Sequence, residues 1–127
     1  MREGLGLLAY SPLARGTLAR PRPAEARVQA GGTTRAETDE FAVTLYDQPG
    51  DWEVVDAVER VAKARGVSMA EVALAWLLGR PGVTAPIVGA TKLEHLEDAM
   101  AAERLSLDAD AVARLEEPYV PHAISGH

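Results

Sequence analysis

Near residue 90 the chain reads APIVGATKLEHLEDAM, residues 85–100, and four side-chain types gather there that suit a bound anion. Ile87 and Val88 end an apolar run at Gly89. Thr91 and Lys92 follow at the expected start of a helix, and His95 lies three residues beyond Lys92. Helix N-termini carry unpaired N–H groups and a partial positive charge, so they attract anions. Gly89 lets backbone come close to a ligand. Thr91 adds a hydroxyl and Lys92 a point charge, and together they suit a phosphate. The same residues allow a plainer reading, in which Thr91 caps the helix, Lys92 is solvated and His95 lies on the surface. Composition alone does not decide between the two.

A second polar corner precedes it. Ser11, Pro12, Leu13, Ala14, Arg15 and Gly16 follow another apolar run, residues 5–10, and offer a hydroxyl, backbone amides and a guanidinium. In open α/β sheets ligands sit outside the carboxyl ends of the strands. Both corners occupy such ends.

The elements that must hold these corners are legible in the periodicity. Continuous apolar runs at 5–10 and 85–88 read as strands buried on both faces, the parallel-sheet pattern. Residues 16–51 hold four glycines and three prolines and lack clear periodicity apart from a weak helical pattern over 37–46. Val54, Val55, Val58, Val61 and Ala62 make one helical face, and Gly66 is placed to end that helix. Ser68 and Glu71 form a capping box that opens a second helix, apolar on nearly every side and therefore buried. Thr91 and Glu94 repeat the capping-box spacing. Leu93, Leu96 and Met100 then make a core face, with Lys92, His95 and Ala99 beside it and Asp98 at its edge. Asp108 reads as the cap of a last short helix with Val112 and Leu115 inward. Two strands are too few for a sheet that helices cover on both faces.

The totals bound the function. The chain has 127 residues, no cysteine and a net charge of −6. That length fits one domain. The acidic balance argues against nucleic acid as a partner. Zero cysteine excludes disulfides and thiolate metal sites and fits a reducing cytoplasmic compartment. No apolar run reaches the roughly 18 residues of a membrane span. The acidic cluster Glu37, Asp39 and Glu40 has no histidine or fourth ligand beside it, so no metal is expected. Ser11 has no matching base and no nucleophile-elbow turn, which argues against hydrolysis.

AYSPLARG, EVALAWLL and PIVGATKLEHLEDA, in that order and spacing, resemble the C-terminal part of the aldo-keto reductases. The likeness runs from Leu5 to PYVPH. It implies an α/β fold: the last two strand–helix units of a (β/α)8 barrel plus a C-terminal helix, an incomplete barrel in this chain. Residues 1–127 would form a partial NADP-dependent oxidoreductase domain, with 16–51 a long loop covering the cofactor, NADPH. By the resemblance, Tyr10 stacks on the nicotinamide. Ser11, Pro12, Leu13, Arg15 and Gly16 surround the diphosphate. Gly89, Thr91, Lys92 and His95 form the pocket for the 2′-phosphate, and Asp98 and Ala99 lie near the adenine. Arg20 and Arg35 belong to the covering loop. Ala99 stands where the family usually has asparagine, and His95 where it usually has arginine or glutamine.

The family's Asp, Tyr, Lys and His tetrad lies on earlier strands, and no residue here matches it. No catalytic residue is therefore expected within this chain. The expected partners are NADPH and either a missing N-terminal part or a second copy. Beside the reductase reading stand two others: a non-catalytic dinucleotide-binding or regulatory piece, and a degenerate truncated product.

Overall fold

The computed structural model describes residues 3–22, 50–121 and 123. Strand β1 is Leu7–Ala9 and β2 is Val83–Pro86, with helices α1, Asp51–Arg65, and α2, Met69–Leu78, between them. A short 3-10 segment, Ala14–Ala19, follows β1. Helices α3, Leu93–Ala102, and α4, Ala109–Glu116, follow β2. Thirty-seven to forty-six, where a weak helical pattern is expected, and the acidic cluster Glu37, Asp39 and Glu40 lie outside the described residues.

The helical layer forms as its sequence requires. Trp52, Val55, Val58, Val61 and Ala62 of α1 pack with Val72 of α2 and with Ala111 and Leu115 of α4 into one buried cluster. Gly66 ends α1 in the left-handed conformation, φ 67°, and its N–H reaches the carbonyls of Ala62 and Lys63. That conformation costs a residue with a Cβ and suits glycine. Ser68 Oγ accepts the Glu71 N–H at 3.1 Å, and Glu71 Oε1 accepts the Ser68 N–H at 3.5 Å, so the capping box forms. Asp108 Oδ1 accepts the Ala111 N–H at 2.8 Å and caps α4. Val72, Ala73, Leu74 and Ala75 are buried in α2, as an all-round apolar helix predicts. Trp52 is buried at the start of α1, where it packs. Trp76 is only half-buried, and its indole N–H donates to Glu116 Oε1 at 2.9 Å.

The sheet is less complete. Among the described residues β1 and β2 pair in parallel, Leu7 with Val83, Leu8 with Ala85 and Ala9 with Pro86. Pro86 cannot donate to the ladder, and the next residue does so instead: the Ile87 N–H reaches Ala9 O at 2.7 Å. The second strand thus starts two residues before the apolar run 85–88. Thr84 hides its start from a hydropathy reading, and β1 ends too early to pair with Val88. Both strands were expected to be buried on both faces. Leu7 and Leu8, which point to opposite faces, are instead both exposed. Two strands supply no neighbours to cover them.

Helix α3 departs from expectation in two ways. Its N-cap is Lys92, in extended conformation and with no side-chain cap bond, so the second capping box does not form. Thr91 sits one residue too early to reach the third amide of a helix that starts at Leu93. The face of Leu93, Leu96 and Met100, expected in the core, is 72, 48 and 56% exposed. Ala102 is the buried residue of this helix. No helix among the described residues is long and apolar enough to cross a membrane.

Candidate cofactor site at the strand ends

Parallel pairing sets the geometry of the two corners. Ala9 pairs with Pro86, so Tyr10 and Ile87 leave neighbouring strand ends in the same direction. The loop after β1 and the turn into α3 therefore start side by side, at the carboxyl end of the sheet.

The first corner is held by unusual backbone. Ser11, Ala14 and Arg15 all take positive φ, 49°, 49° and 56°, and Gly16 takes 95°. Side-chain-bearing residues rarely adopt this region, and such clusters of strain persist where surrounding bonds fix them. Here those bonds lie within the loop itself. The Ala14 N–H donates to Ser11 O at 2.9 Å, and the Gly16 and Leu18 N–H groups both donate to Leu13 O, at 3.0 and 3.1 Å. Arg20 Nε closes the turn on Gly16 O at 3.2 Å. The positive φ is what suits Gly16 to its place; a Cβ there would also meet the Arg20 guanidinium at 2.7 Å, a contact the flexible arginine could relieve by shifting. Tyr10 stands at the loop's entrance, 71% exposed, while residues 11–16 are half-buried.

The second corner is open. Gly89, Thr91, Lys92 and His95 are all exposed, and Asp98 and Ala99, one turn further on, are half-buried. Gly89 has no positive φ, and a Cβ there would meet nothing within 4 Å. Among the described residues nothing demands glycine at that position. The His95 N–H turns back to Lys92 O at 3.1 Å. The amides of Leu93 and Glu94, ahead of it, have no intrahelical acceptor, as at any helix start. The donors at this corner are thus two amides, the Thr91 hydroxyl, the Lys92 ammonium and the His95 ring. Glu94, in the first turn of α3, opposes an anion there, and Glu97 and Asp98 add negative charge further along the helix.

Of the expected site residues, Tyr10, Ser11, Pro12, Leu13, Arg15, Gly16 and Arg20 share the first corner, and Gly89, Thr91, Lys92, His95, Asp98 and Ala99 the second. Arg35 lies outside the described residues. Sequence reasoning missed Arg22, whose guanidinium lies 3.5 Å from Asp56 Oδ2 and 5.9 Å from the Trp52 ring centroid. This contact ties the exit of the 3-10 segment to α1. Its partners are far apart in sequence and no local pattern signals them. Among the described residues no group of acidic or histidine side chains could hold a metal ion. A groove of about 410 Å³ lies elsewhere, between the end of α2 and the turn from α3 to α4, lined by Trp76, Arg80, Arg104 and Val112 among others. None of the strand-end residues borders it.

The model of the Aldo/keto reductase family matches residues 1–119. The chain is 38% identical over 125 residues to the versiconal hemiacetal acetate reductase of Aspergillus parasiticus, which covers 96% of this chain and 34% of that protein. It is 42% identical over 127 residues to an aldo-keto reductase of Metarhizium robertsii, with 98% and 32% covered. An aldo-keto reductase of Fusarium vanettenii is 38% identical over 124 residues, with 98% and 32% covered. The chain spans about a third of the length of the curated relatives it matches.

Proposed function

This chain belongs to the aldo/keto reductase family, and on that premise we propose that it is the NADPH-binding part of a reductase acting on aldehydes or ketones. The observation that carries the reading is the pairing of Ala9 with Pro86, which sets two donor-rich corners side by side at the carboxyl ends of parallel strands. The family's fold is a (β/α)8 barrel, whose active sites sit at that end of the strands. The donor set fits a nicotinamide dinucleotide carrying a 2′-phosphate. Bound there, the cofactor would supply the hydride that reduces the carbonyl.

The chain's own residues bind and orient. Lys92, the Thr91 hydroxyl and the first amides of α3 take up the 2′-phosphate, with His95 one turn in. The open space beside Gly89 admits the ligand without a side chain in the way. The loop holding Ser11, Pro12, Leu13, Arg15 and Gly16 wraps the diphosphate, its left-handed backbone locked by its own hydrogen bonds. Arg20 keeps that loop closed through Gly16 O. Tyr10 offers its exposed ring as a platform for the nicotinamide. Asp98 and Ala99 border the adenine, and Arg35 belongs to the covering segment. The general acid and the groups that orient the carbonyl come from residues outside this chain. A cytoplasmic location, where NADPH is available, belongs to the same reading.

The open sheet favours a second reading for the chain by itself: it binds the dinucleotide without turnover. Purified alone, it should not oxidise NADPH in the presence of a simple aldehyde, because acid catalysis and substrate positioning are each worth powers of ten in rate.

Lys92→Ala tests the site. A charge-assisted phosphate contact contributes about 1.5–3 kcal/mol. The substitution should weaken NADPH binding about tenfold or more, leave NADH binding unchanged, and leave α3 intact, because Lys92 makes no side-chain cap. Equal losses for the two cofactors would remove the assignment.

A further inference from the structure

We propose that Asp56 of α1 is a positioning residue for the dinucleotide: with Trp52 it clamps Arg22, and so keeps the loop after β1 in the shape that receives the diphosphate. The inference rests on the cofactor reading above and adds to it a residue that touches no ligand.

The need for a clamp lies in the loop. Ser11, Ala14 and Arg15 hold positive φ. Such backbone is costly and persists where its surroundings over-determine it. The Gly16 and Leu18 N–H groups donate to Leu13 O, and Arg20 Nε donates to Gly16 O. Those bonds join the loop to itself. Leu18 and Arg22, on either side of Arg20, join it to the helical layer. Leu18 packs against the buried cluster. Arg22 lies 3.5 Å from Asp56 Oδ2 and 5.9 Å from the Trp52 ring centroid.

The clamp stands on the best-packed part of the chain. Trp52 and Asp56 are four residues apart in α1, the spacing that sets ring and carboxylate side by side. Trp52 itself is buried in the core cluster. A planar guanidinium can present its face to a ring and its edge to a carboxylate. Pinning Arg22 limits how far Arg20, two residues earlier, can move from Gly16 O. The loop is then pre-organised, and a ligand meets it without the cost of ordering it.

Asp56→Asn tests this, because it removes the charge and keeps the shape. The probes are NADPH, which carries the diphosphate, and adenosine 2′-monophosphate, which does not. The pair is half-buried, so its loss is modest and NADPH binding should weaken about threefold. Binding of the monophosphate, which needs only the corner of Thr91 and Lys92, should not change. In the free variant, hydrogen exchange at the Gly16 and Leu18 amides should quicken by about the same factor, roughly threefold. Asp56→Glu should restore both readouts, and Asp56→Asn in an Arg22→Ala chain should add no further loss. Equal losses for the two probes would mean a general structural effect and overturn the proposal. So would unchanged exchange at Gly16 and Leu18, an unchanged affinity for NADPH, or a double variant whose losses add. The exchange is read without nucleotide and decides the clamp by itself. Failure of NADPH to bind the unsubstituted chain would count against the cofactor site alone.

Discussion

The helices α1, α2 and α4 and the corner formed by β2 and α3 come from one short chain, yet they are finished to different degrees. In the first region Val55, Val72 and Leu74 are almost fully enclosed, and two of its helix starts carry formed caps, at Ser68 and Asp108. In the second the α3 stripe is open, as are Leu7 and Leu8 of the neighbouring β1, and α3 starts without a side-chain cap. The apolar face is as legible in α3 as in α1. What differs is whether the partner surface lies within these residues. A periodic apolar face says that something covers it, and it does not say whether the cover is in the same chain.

The contrast can be broken most severely in the core. Leu74→Ala should cost about 2–5 kcal/mol in urea or thermal unfolding, the range for truncating an enclosed leucine. Leu74 is 2% exposed. A loss below about 0.5 kcal/mol would mean that α2 is not the centre of the packed region. The two capping-box spacings sharpen the comparison next. Ser68→Ala should destabilise by about 1 kcal/mol, whereas Thr91→Ala, at a position that caps nothing, should stay within about 0.5 kcal/mol. Similar losses for both would show that the Thr91 box forms in solution.

A smaller effect is expected at the seam between α2 and α4. Glu116 Oε1 accepts the Trp76 indole N–H and pairs with Arg80 at 2.6 Å, while the Arg80 guanidinium lies 4.9 Å from the Trp76 ring centroid. Both charged side chains are about a third or more exposed, so solvent screens the pair. Glu116→Gln, which keeps an acceptor for the indole, should cost less than about 1 kcal/mol. The smallest effect belongs to the open region. Leu93→Ala should change the stability of the free chain by no more than about 0.5 kcal/mol, because Leu93 is 72% exposed. A loss comparable to that of Leu74→Ala would mean that α3 buries its apolar stripe within this chain.

Much of this was readable before any coordinates. The Ser68–Glu71 box, the Gly66 terminator, the Asp108 cap, the inner face of α1 and the burial of the all-round apolar α2 rest on local rules, and local rules sufficed. The strand limits did not, because pairing sets them: Thr84 belongs to β2 only through its neighbours. The burial of Leu7, Leu8 and Leu96 was misjudged for the related reason that burial depends on what else is present. At the candidate site the polar residues of the two corners are read from the sequence, while their side-by-side placement comes from the parallel pairing of β1 and β2. The strained backbone at Ser11, Ala14 and Arg15 was not, since none of these residue types signals positive φ. The Arg22 contact with Asp56 and Trp52 was equally invisible, because it joins distant segments.

The central claim is that the two strand-end corners form a site that reads a 2′-phosphate. The direct measurement is amide chemical-shift mapping of the purified chain titrated with adenosine 2′,5′-bisphosphate and, separately, with adenosine 5′-monophosphate. The account predicts shifts centred on residues 89–95 for the bisphosphate, much weaker ones for the monophosphate at equal concentration, and their loss in Lys92→Ala. Equal responses to both nucleotides, or shifts centred on Trp76, Arg80 and Arg104, would contradict it.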